Sequence, residues 1–173
     1  MKIKHCLLAL ILCASNGHSA DLFFSVGAGL SNSDYCSSNM SSEISAGVNL
    51  NDQFSLQITH TNLGDCEIFN ETGRKVYLTS NSWYWDYYDS YSQTVNEVTF
   101  RYNLNNSGHS SIFFEGGYGK YNYSTDYSEN TAVIGGGITV PLRANWSWQT
   151  KLKIYPEKLE TIVNLGASLT YNY

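Results

Sequence analysis

Few side chains in this 173-residue chain have the type and spacing that catalysis needs. Beyond the first twenty residues it holds two histidines, His60 and His109, and a histidine works as a general base only with a nucleophile or acid in hydrogen-bond reach. His60-Thr61-Asn62, with Asp65 close behind, gives a His60/Asp65 pair as the strongest catalytic candidate, but the segment lacks a serine nucleophile. His109 follows Gly108, where turn chemistry accounts for it. A base without its nucleophile is not a catalytic site, so the sequence predicts no enzyme and calls for no cofactor. Cys36 and Cys66 lack convergent histidines and so do not suggest a metal site, whereas an oxidising compartment would pair them. That disulfide would close a loop of about 31 residues, worth about 3 to 4 kcal/mol on chain-entropy grounds.

Two other groupings could bind or position. Trp83, Tyr84, Trp85, Tyr87, Tyr88 and Tyr91 crowd into nine positions beside Asp86 and Asp89, and rigid aromatics interleaved with polar groups make good contact surfaces. They point to an extracellular protein or glycan partner, the alternative being an interfacial girdle on a hairpin extension. Glu43, Glu97, Arg101, Glu115, Lys151 and Lys153 are charges of both signs, each with small or polar residues two positions away.

The elements that must carry these groups are strands. Lys2 and Lys4 precede an apolar run, Leu7 to Leu12, that gives way to small and polar residues up to Ala20. Residues 1–20 therefore read as a cleaved export signal, cut between Gly17 and Asp21, and residues 21–173 as one domain. Removing the signal leaves eight basic against fifteen acidic residues, a net −7. A nucleic-acid partner needs a basic face, and none larger than Arg74-Lys75 exists. Period-2 alternation runs through the remainder: Leu22, Phe24, Val26, Ala28 and Leu30 share one face, as do Ile44, Ala46, Val48 and Leu50. Further strands are expected over Phe54–Ile58, Val98–Leu104, Ile112–Tyr118, Ala132–Leu142, Trp146–Ile154 and Val163–Tyr173, a total of eight. Short connections at Asn51-Asp52, Asn105–Ser110 and Pro141–Asn145 alternate with longer ones at Ser31–Ser42, Gly64–Thr94 and Asn122–Asn130. Pro156–Glu160 is shorter than its long siblings.

The composition of the two faces decides what surrounds them. All six charges named above fall mid-strand on the polar face, beside Gly27, Gly29, Gly47, Gly117, Gly119, Gly135, Gly137 and Gly166. Eight strands enclose room for side chains and little else, so small residues and paired charges suit the lumen. The other face carries almost no charge and suits lipid, and a sheet whose backbone leaves water must be closed. The expected fold is an all-β, closed antiparallel eight-stranded transmembrane β-barrel, with Tyr102, Tyr118, Trp146, Trp148, Tyr171 and Tyr173 at the two headgroup levels. A large pore needs about sixteen strands and is excluded by length. His60 and Asn62 would continue the lipid face of the third strand, which predicts a bulge returning Leu63 to the lipid side.

The segments Ser111–Tyr121 (SIFFEGGYGKY) and Asn164–Tyr173 (NLGASLTYNY) resemble the small outer-membrane barrels of the OmpX, Ail and OmpA type, most closely over the C-terminal half. The resemblance implies a monomeric barrel in the bacterial outer membrane, surrounded by lipid and lipopolysaccharide. It also implies that Leu165, Ala167, Leu169, Tyr171 and Tyr173 form the signal read by the barrel assembly machinery. Its members range from envelope structure to surface adhesion, and fold analogy does not choose among those roles. Lipopolysaccharide phosphates would be met by Lys120, Arg74, Lys75 or bridging divalent cations, since the outer loops also hold Asp65, Glu67, Glu71, Asp126 and Glu129. The runner-up readings are a lipid A modifying enzyme, because His60-Thr61-Asn62 is similar to a His-x-Ser-Asn pattern without its serine, and a soluble secreted barrel that binds a small ligand.

Overall fold

A computed structural model describes residues 21–32, 39–68, 89–104, 110–122, 128–156 and 161–173. They form eight strands: β1 (Asp21–Asn32), β2 (Asn39–Asn49), β3 (Phe54–Ile68), β4 (Asp89–Leu104), β5 (Ser111–Asn122), β6 (Ser128–Pro141), β7 (Trp146–Pro156) and β8 (Thr161–Asn172). Each strand pairs antiparallel with its chain neighbours, and β1 pairs with β8 from Phe23↔Asn172 to Asn32↔Val163, which closes the barrel. Closure leaves no unpaired edge.

The alternation that forms the strands also sorts them by face. In β7 Ser147, Gln149, Lys151, Lys153 and Tyr155 are buried, while Trp146, Trp148, Thr150 and Leu152 are exposed. Among the described residues 23 large apolar side chains are exposed and nine are buried, while 22 polar or charged side chains are buried, so the barrel is inside-out relative to a water-soluble one.

At one end lie both described termini, the β2–β3 and β6–β7 turns, and the facing ends of β4 and β5. At the β2–β3 turn Asn51 Oδ1 accepts the backbone N–H groups of Gln53 and Phe54 at 2.9 Å each, an Asx-type turn. The β6–β7 turn runs through Ala144 at φ 50°, a left-handed position. Pro141 and Pro156 stand at strand ends, where a missing N–H interrupts no ladder.

The structure lengthens the strands toward the opposite end. β3 continues to Ile68 and β4 begins at Asp89, so much of the expected Gly64–Thr94 connection is paired strand, from Gly64↔Gln93 to Ile68↔Asp89. A bulge does interrupt β3, between Asn62 and Gly64, but its effect on Leu63 is the reverse of the expectation. Leu63 is turned into the lumen and fully buried, while His60 stays exposed on the outer face. The extra residue is absorbed at Gly64, whose φ of +92° a side chain would strain, and Asn62 Oδ1 caps the kink by accepting the Gly64 N–H at 2.8 Å.

The aromatics also depart from the expected two girdles. Phe54 stacks on Phe100 and lies beside Tyr102, with centroids 5.3 and 5.1 Å apart, and Tyr171 meets Trp146 and Tyr173 edge-on at 4.9 and 4.8 Å. These rings, with Trp148, cluster at the short-turn end. Tyr118 stands apart, flanked by Val98 and Ala132 toward the middle of the wall.

Candidate functional site

Three layers fill the lumen. Nearest the short turns, Phe23 and Phe113 point inward where glycine makes space: a Cβ on Gly47 would lie 2.3 Å from Phe23 Cζ, and one on Gly137 2.8 Å from Phe113 Cζ. The Arg101 guanidinium stacks over the Phe113 ring at 3.9 Å.

Above it, four strands, β2, β4, β5 and β7, bring the six predicted charges together. Lys151 of β7 and Glu43 of β2 are hydrogen-bonded across the lumen. Lys153 donates to Glu43 Oε2 at 3.1 Å, is hydrogen-bonded to Glu97 of β4, and lies 3.9 Å from Glu115 Oε1 of β5. Glu115 Oε2 in turn accepts from Arg101 Nη2 at 3.0 Å and from Gln57 Nε2 at 2.9 Å, and Arg101 Nη1 reaches Gln149 Oε1 at 3.0 Å. Three carboxylates thus face three cations with almost no exposure. Matching the charges is what makes their burial tolerable, because an unpaired ion in such a site would cost several kcal/mol. One cavity of about 10 Å³ remains beside Ser41, Glu43, Lys151, Lys153 and Asn164, room for about one water.

The third layer, toward the long connections, is apolar: Leu63, Val95, Tyr121, Val133, Tyr155 and Ile162 form one buried cluster. Sequence reasoning missed it by treating the inward face as uniformly polar. Val95 shares the parity of Glu97, Tyr155 that of Lys153 and Leu63 that of Thr59 and Thr61, so strict counting along each strand finds all six. The bulge shifts the parity only of the residues that follow Leu63. Gln57 and Gln149 were missed as partners for the charges in the same way.

The remaining candidates separate. His60 Nδ1 lies 2.9 Å from Asn96 Oδ1 on the outer face, and among the described residues no hydrogen bond or ion pair joins His60 to Asp65. Leu165, Ala167, Leu169 and Tyr171 line the outer side of β8, with Tyr173 just beyond it, its N–H donated to Leu22 O at 2.8 Å. Cys66 and Tyr91 are register partners in the β3–β4 ladder. Cys36, the aromatics Trp83, Tyr84, Trp85, Tyr87 and Tyr88, the basic pair Arg74-Lys75, His109 and residues 1–20 lie outside the described residues. No group of three or more metal-ligating side chains occurs among the described residues.

The closed eight-strand fold has counterparts among solved structures. Neisserial surface protein A superposes with a TM-score of 0.61 at 9% identity, covering 88% of this chain and 97% of that one. The fold is that of the small outer-membrane barrels. Ail of Yersinia pestis, solved with the heparin analogue sucrose octasulfate, gives 0.57 at 10% identity over 89% of this chain and 99% of its own. The N-terminal barrel domain of Pseudomonas aeruginosa OprF gives 0.55 at 14%, over 87% and 97%. No protein-family model and no curated protein sequence matches the chain. The small-barrel fold is therefore carried here by strand count, closure and face polarity, with little shared sequence.

Proposed function

We propose that this chain is a bacterial outer-membrane protein that spans the bilayer and acts through what it presents at the long-connection end, as an envelope-structural or surface-interaction protein. The observation that carries this is the exposed apolar exterior on a closed barrel: 23 large apolar side chains facing out is a stable arrangement in hydrocarbon and an aggregating one in water. Export through a signal cleaved between residues 17 and 21, recognition of the Leu165-to-Tyr173 pattern by the assembly machinery, and a monomeric state in lipid and lipopolysaccharide complete the reading. A filled lumen with matched charges argues for a wall rather than a channel, and His60 without a nucleophile argues against lipid A modification.

For the surface role, the favoured partner is a protein or a neutral glycan met by Trp83, Tyr84, Trp85, Tyr87, Tyr88 and Tyr91. Ail was solved with a sulfated ligand, but the β3–β4 connection of this chain offers Arg74 and Lys75 against Glu67, Glu71, Asp86 and Asp89, a poor match for a polyanion. The first test is the gel mobility of detergent-extracted outer membrane, with and without boiling. A shift that depends on boiling, from a protein whose mass starts within residues 17–21, is expected. Recovery in the soluble fraction with no shift would overturn the membrane assignment.

A further inference from the structure

The outer face is not apolar all the way round. Ile58, Val98, Tyr118 and Ala132 are neighbours across β3, β4, β5 and β6. Two residues farther toward the long connections the same register places His60 beside Asn96, Asn96 beside Lys120 and Lys120 beside Asn130, and beyond them Asn62, Thr94, Asn122 and Ser128. On β2, β1 and β8 the row that holds His60 continues through apolar side chains, Ile44, Val26 and Leu169. A polar seam is therefore cut into one side of the belt.

The seam runs deep. His60 is six residues past Phe54 of the aromatic girdle, and at about 3.3 Å per residue with a tilt near 40° it stands roughly 15 Å from that girdle, about halfway across an apolar band of about 25 Å. Lys120, nine residues past Ser111, stands roughly 23 Å up, near the far edge of the band. Polar groups facing hydrocarbon are costly and mark function more often than chance. The His60–Asn96 hydrogen bond offsets part of that cost. Lys120 Nζ has no hydrogen-bond or ion-pair partner among the described residues. Among the outward positions of these two rows it is the one formal charge, and Asp65 lies beyond the bulge on β3.

We infer that this seam seats a phosphate-bearing lipid of the leaflet on the long-connection side, one whose linkages carry hydroxyl or amide groups below the phosphate. The inference rests on the membrane-spanning reading above. Lys120 at the edge of the band suits the phosphate, a charge-assisted contact. The Asn96 amide and the His60 ring descend from it at cross-strand spacing, with the Asn130 amide on its other side, and these groups can pair with ones that both donate and accept. A phosphoglyceride, whose linkages are esters that only accept, satisfies Lys120 but leaves the acceptor oxygens of the seam unpaired, so lipid A is the better fit.

The test is native mass spectrometry of the detergent-solubilised barrel with lipid A, with dephosphorylated lipid A and with phosphatidylglycerol. Lipid A is expected to be retained about tenfold more tightly than either comparison lipid, and Lys120→Gln to remove about that factor, the worth of one charge-assisted contact. A His60→Leu/Asn96→Leu double variant is expected to lose the preference over phosphatidylglycerol while resisting urea at least as well as the parent, which separates recognition from folding. Equal retention of the three lipids, or Lys120→Gln with unchanged retention, would overturn the seam. So would dimers that vanish in the seam variants with no lipid preference, because they would assign it to contact between copies. The boiling-dependent gel shift is read on the same samples: its absence fails the membrane reading, whereas its presence with indiscriminate lipid retention fails the seam alone.

Discussion

Lys153 is the residue on which the lumen's carboxylates converge, fully buried and within 3.9 Å or less of Glu43, Glu97 and Glu115. Replacing it by Met leaves three carboxylates against two cations in a site without solvent, and the expected loss is about 3 to 5 kcal/mol of stability. Urea unfolding in micelles measures it. Lys153→Met combined with Glu97→Gln restores the charge balance and should recover a large part of that loss, whereas additive losses would show that the two residues do not interact. At this scale the sequence was informative: all six charges could be assigned to one face by counting in twos, because strand parity is unforgiving. Their pairing was not legible, since Glu43 and Lys151 lie 108 positions apart and meet only across the closed lumen.

Strand existence was readable wherever one face is apolar and the other polar, as in β1, β2 and β8. Strand ends were not, because beyond the bulge the outer face of β3 and β4 also turns polar, at the register partners Asp65 and Ser92, and apolar-polar alternation carries no signal. The bulge itself could be anticipated from the awkward placement of His60 and Asn62, but its geometry could not: the chain takes up the extra residue at Gly64, where a Cβ would meet Asn39 Cβ at 2.7 Å, and Leu63 keeps the inward parity of Thr59 and Thr61. The lengthened β3 also bears on the cysteines. Asn39 Nδ2 donates to Asp65 O at 2.6 Å, and three residues of chain from Asn39 back to Cys36 can span about 10 Å. A Cys36–Cys66 disulfide is thus expected, detected as thiols that alkylate only after reduction; equal labelling before and after would exclude it.

For the molecule as a whole, the closed barrel is the platform from which the proposed surface role would act. The described β3–β4 ladder ends at Ile68↔Asp89, so deleting residues 82–88 keeps every described pair. That deletion is expected to abolish attachment of protein-bearing cells to host or matrix surfaces while leaving the boiling-dependent gel shift intact. Unchanged attachment would leave the envelope-structural role. The six-charge layer has one more consequence, for how such a wall can come into being. Glu43 is on the second strand and both its lysine partners are on the seventh, so its charge is not neutralised until the first and eighth strands have met. A half-inserted sheet would hold bare ions against hydrocarbon. The electrostatics therefore penalise strand-by-strand entry and favour a pathway in which the ring is nearly sealed before it is surrendered to the bilayer.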